Sequence, residues 1–461
     1  MSISQSSPII IVGAGTWGTS TALHLARQGY KNVTLFDRYP VPSPISAGND
    51  VNKVVSPGQY SVDQDRVDVN TALTMEAMKA WMNDPLFKPY YHDTGLLMSA
   101  NTPAGMQRLG VRVRPGEEDN VVPIEQPEDF RKLAPSGILR GEFPGWKGYL
   151  TRKGAGWAEA RNALAAAARE AQRLGVNIVA GGTAGQVVTL IFEYNDVKGV
   201  VTADGKIHRA ERTILCAGAA AGQFLDFQDQ LRPTAWTIAH IALSPEERKQ
   251  YQNIPVIFNI EKGFFFEPDQ NGEIKLCDEH PGYTNMTRLP DGRLGSVPFE
   301  KTQVPKESEI RIRALLRETM PQLADRPFSF ARICWCADTA DREFIIDRHP
   351  KYRSLVLGCG ASGRGMISPR GVMTWTLRKC THKLTISAGF KYLPTIGRTI
   401  IDAMQDKISP KMHECLKWSP GKATSRNWAD TLGRFGGPNK VMDFGDVSEW
   451  TAAPQRDLSK L

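Results

Sequence analysis

Ile9-Ile-Ile-Val-Gly13-Ala-Gly15-Thr-Trp-Gly18, followed by Asp37, is the stretch that decides the fold. Four β-branched residues predict a buried parallel strand. A G-x-G-x-x-G turn follows, then a helix from Thr19 to Arg27 closed by Gly29, and a second strand, Val33-Thr-Leu-Phe36, that delivers Asp37. This is a βαβ unit with its acid at the spacing of a dinucleotide site. Gly13 permits the tight turn, Gly15 lets the backbone approach a pyrophosphate, and Gly18 lets helix and strand pack closely. Phosphates are expected at the helix N-terminus, where free N–H groups and the dipole favour anions. Asp37 is expected to accept hydrogen bonds from ribose hydroxyls. A Gly-rich turn alone is weak; strand, helix, second strand and acid together make the reading.

The chain has 461 residues, enough for two or three domains, and its composition is that of a globular protein. No run of 18 apolar residues occurs, so no transmembrane helix is expected. The N-terminal residues lack a basic region followed by an apolar core, so no secretory signal is read. Seven scattered cysteines argue for a reducing compartment rather than a disulfide framework. The net charge of +8 is not gathered into a nucleic-acid patch; four of the cations, Arg370, Arg378, Lys379 and Lys383, fall in one segment discussed below. The final Ser459-Lys460-Leu461 reads as a peroxisomal import address.

The predicted fold class is α/β (α+β), a Rossmann-like cofactor domain interleaved with an antiparallel-sheet substrate domain. The cofactor domain is assigned to 1–85, 151–235 and 331–412, and the substrate domain to 86–150 and 236–330. Residues 413–461 form a C-terminal extension. The pattern predicts helices over Ala72–Trp81, Trp157–Leu174 and Glu307–Thr319, a strand over Val176–Val179, and a meander over Gly185–Glu193, Val197–Thr202 and Lys206–Ala210. Buried strands ending in glycine are read at Arg212–Gly218 and Ser354–Gly360, and substrate-domain strands at Thr237–Leu243, Gly263–Phe266 and Glu273–Cys277.

Over nearly its whole length the chain resembles the fungal fructosyl-amino-acid oxidases (amadoriases), of the sarcosine-oxidase-like group of flavin amine oxidases. The stretches that carry the resemblance include Ile11–Gly18, Ser46-Ala-Gly-Asn-Asp-Val-Asn-Lys53, Phe143–Gly148, Lys275–Gly282, Arg332-Ile-Cys-Trp-Cys-Ala-Asp-Thr339, Phe344–Pro350 and Arg434–Pro438. The resemblance implies FAD as cofactor. The implied reaction oxidises the C–N bond of an Amadori product to an imine that water hydrolyses, giving free amino acid, glucosone and hydrogen peroxide. No acid–base residue is required by the sequence.

The resemblance also implies roles for individual residues. Gly13, Gly15, Thr16, Trp17, Gly18, Asp37, Asn49, Lys53, Phe390 and Lys391 are expected around FAD. Cys334 is expected to hold the flavin covalently through its 8α position; Cys336 points to the same side of a strand, and spacing alone does not choose between them. Two buried small residues would be the ordinary reading of Cys-x-Cys, and one such pair is half a zinc shell. Lys275 matches the lysine that activates oxygen over flavin N5, with Lys53 as a second lysine beside the flavin. Tyr60, Arg112, Glu279, Lys391 and Arg434 are expected around the substrate, whose polyol needs donors and acceptors and whose carboxylate suits an Arg fork. Glu279 and Arg434 are expected to pair at the pocket mouth. Expected partners are glycated amino acids, molecular oxygen and the import receptor, with no nucleic acid or membrane, and the chain is expected to be a monomer in the peroxisome.

The resemblance breaks once. Family members run Ser-Gly-Arg-Gly directly into Phe-Lys-Tyr-Leu-Pro, whereas here Gly365 and Phe390 are separated by the 24 residues Met366–Gly389. The intruding segment holds no acid, four cations and Cys380. Gly365-Met366 can encode a splice donor, Leu384-Thr385 a branch point and Ala388-Gly389 an acceptor, so it reads as a translated intron. The alternative is a surface loop, tolerated because closure cost grows slowly with length. In either case it is expected to disturb flavin binding.

Three other functions compete. One is oxidation of N-methyl or cyclic secondary amino acids on the same scaffold; Ser56 standing where such enzymes would use an arginine disfavours it. Another is a flavin-binding chain made inactive by the insertion. The last is a nicotinamide dehydrogenase, which the βαβ unit alone permits and Cys334 in its context opposes.

Overall fold

The computed structural model describes residues 3–57, 69–109, 116, 118–279, 282–289, 291–340, 343–361, 389–421 and 441–452. The first βαβ unit forms as its pattern dictates: β1 (Ile9–Val12), α1 (Thr16–Arg27) and β2 (Val33–Asp37). All four residues of β1 are buried, as expected for a strand covered on both faces. A six-stranded sheet grows from it in the order Ile345–Arg348, Leu355–Cys359, Arg212–Leu215, β1, β2, Asn177–Ala180. Every pairing is parallel except that of Ile345–Arg348 with Leu355–Cys359. The meander Val187–Glu193, Asp196–Thr202, Ile207–Arg209 forms a separate three-stranded antiparallel sheet.

A short strand, β3 (Lys53–Val55), pairs with Gly156–Ala158, which also pairs with Tyr91–His92. Trp157 therefore lies in a strand and not in the predicted helix, and α2 (Ala160–Arg173) begins after Glu159. Tertiary contacts override the local helical pattern: the Trp157 ring stacks on His92 at 3.9 Å and its Nε1 donates to Glu267 at 2.8 Å. The buried alanines of α2 let it lie close against α1.

The second layer is a ten-stranded sheet. It includes β4 (Leu231–Ala242), β5 (Glu273–Asp278) and β6 (Phe330–Thr339), with β5 along one edge of β4 and β6 along the other. The expected antiparallel sheet is in fact mixed, because Leu96–Ala100 runs parallel to Val256–Asn259 and Tyr283–Thr284 parallel to Met442–Asp443. Residues 231–235 and 331–339, grouped by sequence with the cofactor domain, ladder within this sheet. That ladder carries Cys334 and Cys336 opposite Trp236 and Thr234, next to the strand that carries Lys275.

Candidate active site

The glycine loop forms a cradle that only small residues permit. Gly13 has a φ of +101°, and a Cβ placed there would lie 2.5 Å from the Cys216 carbonyl oxygen. A Cβ on Gly18 would lie 1.8 Å from the Gly13 oxygen, so α1 can approach β1 only with glycine at this point. No side chain caps α1 and its first turn holds no acid, leaving N–H groups free for an anion. Asp37 accepts hydrogen bonds from the N–H of Ala14 at 2.8 Å and of Tyr39 at 2.9 Å, tying the loop to the end of β2. Burial pushes its carboxyl up to about 6 against the pull of those two bonds. Its oxygens keep further lone pairs for a hydroxyl donor.

A cavity of about 530 Å³ opens over this loop. Gly13, Gly15, Thr16, Trp17 and Asp37 line one end, and Trp335, Cys336 and Ala337 of β6 line the other. Its size is that of a cofactor cleft. Cys216 and Cys359 also line it, but burial pushes the Cys216 thiol up to about 12 and that of Cys359 well above its ordinary value. Neither is disposed to act as a thiolate. The wall takes Cys336 and not Cys334, although both lie on β6 and both act electrostatically on Lys53.

Lys53, from β3, and Lys275, from β5, meet on one carboxylate. Asp50 Oδ2 stands 2.7 Å from each ammonium. Lys275 is 1 % exposed, donates a second bond to the Asn52 carbonyl at 2.8 Å, and lies 4.9 Å from the Phe266 ring centroid. Burial lowers its ammonium to about 8 despite the carboxylate. For Lys53 burial works the same way, but Asp50 and the nearby Cys334 and Cys336 outweigh it and raise the group. Burial also opposes the Asp50 charge, and Lys275, Lys53 and Arg332 together overcome it and hold the carboxyl far below its usual range. Arg332 donates to the carbonyls of Pro44 and Asn49, and Arg161 of α2 donates to Asn49 Oδ1 at 2.7 Å. The result is a buried centre with more cations than anions.

Phe390 and Lys391 are buried just beyond the inserted segment. Lys391 donates from Nζ to the Ser56 carbonyl at 3.3 Å, and its own carbonyl accepts from Trp81 Nε1 at 2.7 Å. Lys391 thus reaches the chain just past β3, while Glu279 follows directly on β5. Tyr60, Arg112, Arg434, the segment 366–388 and the terminal Ser-Lys-Leu lie outside the described residues. Asp50, Asn52, Arg161 and Arg332 carry much of the site and had no role assigned from sequence. Asp50, Asn52 and Arg332 fall in the quoted stretches, but a carboxylate three residues before a lysine does not announce a third partner 225 residues away. Among the described residues no cluster suits a metal, and no helix is long and apolar enough to cross a membrane.

Likenesses to known proteins bear on the family and the fold. The model of the FAD dependent oxidoreductase family matches residues 8–372. The structure is similar to that of the deglycating enzyme fructosamine oxidase (amadoriase II) of Aspergillus fumigatus. The TM-score is 0.90 and the identity 68%, covering 99% of this chain and 100% of that one. The fructosyl peptide oxidase of E. terrenum is 31% identical with a TM-score of 0.81, over 98% and 99% of the two chains. L-saccharopine oxidase of Schizosaccharomyces pombe is 27% identical over 92% of this chain and 96% of its own. With the glycine cradle, the cavity and these likenesses running end to end, the chain belongs to the FAD-dependent oxidoreductase family, in its fructosamine oxidase (amadoriase) branch.

Proposed function

We propose that this protein is an FAD-dependent oxidase of fructosyl amino acids, releasing free amino acid, glucosone and hydrogen peroxide. The observation that carries the reading is the 68% identity to a deglycating fructosamine oxidase over 99% of the chain, which holds both a cavity over the glycine loop and a buried lysine pair on Asp50. Saccharopine oxidase at 27% and human peroxisomal sarcosine oxidase at 23% identity are more distant.

The residues present fit FAD. Gly13 and Gly18 leave a cradle that a Cβ would fill, and both polar atoms of the fully buried Asn52 side chain lack a partner among the described residues. Bound there, FAD supplies the two-electron acceptor for the CH–NH bond and the centre from which dioxygen is reduced. The chain's own residues do the rest. The glycine loop and α1 receive the pyrophosphate, and Asp37 the ribose. Asn52 would offer a donor and an acceptor to a polar group of the cofactor. Lys275 and Lys53 place positive charge where electrons accumulate, with Lys275 buried from bulk solvent that would screen it. Glu279, Lys391, Tyr60, Arg112 and Arg434 form the substrate group, with Glu279 and Arg434 pairing at its mouth. Cys334 is the covalent anchor, the Ser-Lys-Leu end directs import into the peroxisome, and the chain acts as a monomer.

The test is peroxide release from fructosyl-lysine and fructosyl-valine, by the chain as written and by the chain lacking Met366–Gly389. Peroxide from the shortened chain supports the reading. A flavin-loaded protein that oxidises neither compound, but does oxidise sarcosine or pipecolate, refutes it.

A further inference from the structure

The two lysines of the site come from different layers. Lys53 stands on a three-residue strand of a small sheet, and Lys275 on a central strand of the ten-stranded sheet. Nothing in their own strands brings the two ammoniums together; like charges in a buried place repel, and each loses hydration. One oxygen of Asp50 lies 2.7 Å from both. Asp50 is 2 % exposed, so bulk solvent screens these pairs little. Its backbone is held as well: the Asp50 carbonyl accepts from the Arg161 N–H at 2.9 Å, and Arg332 clamps the preceding carbonyl of Asn49.

We propose that Asp50 is a positioning residue of the oxygen-reacting site, the shared counter-ion that aligns Lys53 with Lys275 and keeps Lys275 charged where water is excluded. The inference rests on the oxidase reading given above. Lys275 is the member at risk, since burial lowers its ammonium to about 8 even with the carboxylate in place. The other charged and titratable groups facing this centre do not substitute for Asp50. Lys53, Arg332 and Arg161 are cations and oppose a second positive charge. Across the ladder from Lys275 stands His240, whose Nδ1 is engaged by Glu273 at 3.1 Å. Asp269 and Glu273 act on Arg161. Cys277 on the same strand gives its Sγ–H to the Thr237 carbonyl, and Cys334 and Cys336 face Lys53. Without Asp50, the Lys275 ammonium loses its only carboxylate partner among the described residues.

The test uses flavin-loaded enzyme reduced by dithionite rather than by an amine, so it holds whatever the natural substrate proves to be. The reduced enzyme is mixed with oxygen from pH 6 to 10 in wild type, D50N and D50E, and sulfite affinity of the oxidised enzyme is titrated alongside. In wild type, reoxidation is expected to fall as pH rises through about 8, where Lys275 loses its proton. In D50N the midpoint moves down by at least a unit, so reoxidation drops by at least about twofold at pH 7 and about ninefold at pH 9, and recovers on acidification. The midpoint of D50E lies between the two. In a K275M background, D50N adds less than threefold. Sulfite affinity, which reads positive charge without turnover, weakens in D50N above its new midpoint and not below it. Should D50N not accumulate as folded protein, K53M against D50N/K53M makes the same comparison with the charge balanced. An unmoved midpoint, or a D50N effect of undiminished size in the K275M background, overturns the proposal. Failure to oxidise fructosyl amino acids would instead count against the substrate reading, leaving this result standing.

Discussion

Replacing Lys275 by Met tests the site where the physics is simplest. Met keeps most of the side-chain volume and removes one buried positive charge. At about 4 Å and an effective dielectric near 20, that charge is worth roughly 4 kcal/mol to a neighbouring negative charge. At about 1.4 kcal/mol per decade this is on the order of a thousandfold in rate. The geometry trims the figure. The 2.7 Å ion pair to Asp50 already screens part of the Lys275 field, while Lys53 and Arg332 remain beside the carboxylate. A loss of roughly 10²–10³ in the oxygen half-reaction is therefore expected. The half-reaction with amine substrate should change by no more than a few-fold, because the positive charge matters most where electrons pass to oxygen. Stopped-flow absorbance separates the two, first anaerobically with fructosyl-lysine and then with the reduced enzyme against oxygen. Reoxidation within threefold of wild type, or both halves slowed alike, would refute the reasoning.

The remaining predictions concern the cofactor site and the insertion. Deleting Met366–Gly389 should raise flavin content and peroxide production, because the last described residue before it, Ala361, already lies against Gly389 at its end. A Cβ on Gly389 would lie 2.4 Å from that of Ala361, and the Gly389 carbonyl accepts from Trp17 Nε1 at 3.0 Å, a place Gly365 can take. Equal activity of both forms would make the segment a tolerated loop, and transcripts sequenced across the junction would show whether it is translated at all. Cys334→Ala should release the flavin on acid denaturation while Cys336→Ala retains it; the reverse would move the attachment to the cysteine that lines the cavity. Gly18→Ala should cost about 1–3 kcal/mol in overpacking and lower FAD content, read by melting temperature and by the ratio of visible to ultraviolet absorbance. Full flavin loading at unchanged melting temperature would contradict the cradle.

Much of the cofactor layer was legible because its signals are local. The β1–α1–β2 unit needs only a β-branched run, three glycines and an acid at fixed spacing, and each acts within a few residues of itself. Trp157 was misplaced for the opposite reason. Its helical surroundings are local, while the ladder with Lys53–Val55 and the stacking on His92 come from residues far earlier in the chain. Parallel pairing of Leu96–Ala100 with Val256–Asn259 left no trace in either strand's composition, since buried strands of both kinds are simply apolar.

The candidate site divides along the same line. By itself the sequence determined the cradle and Asp37, and its resemblance to the amadoriases pointed to Lys53, Lys275, Cys334 and Lys391, because residue type and spacing are written in the chain. Only the tertiary structure decided that Asp50 lies between two lysines, that Arg332 and Arg161 hold the loop bearing it, and that Cys336 faces the cavity. A buried charge is stable only beside its counter-charge, and Lys275 is 225 residues from Asp50 in the chain, so the pairing exists only once the two sheets have packed.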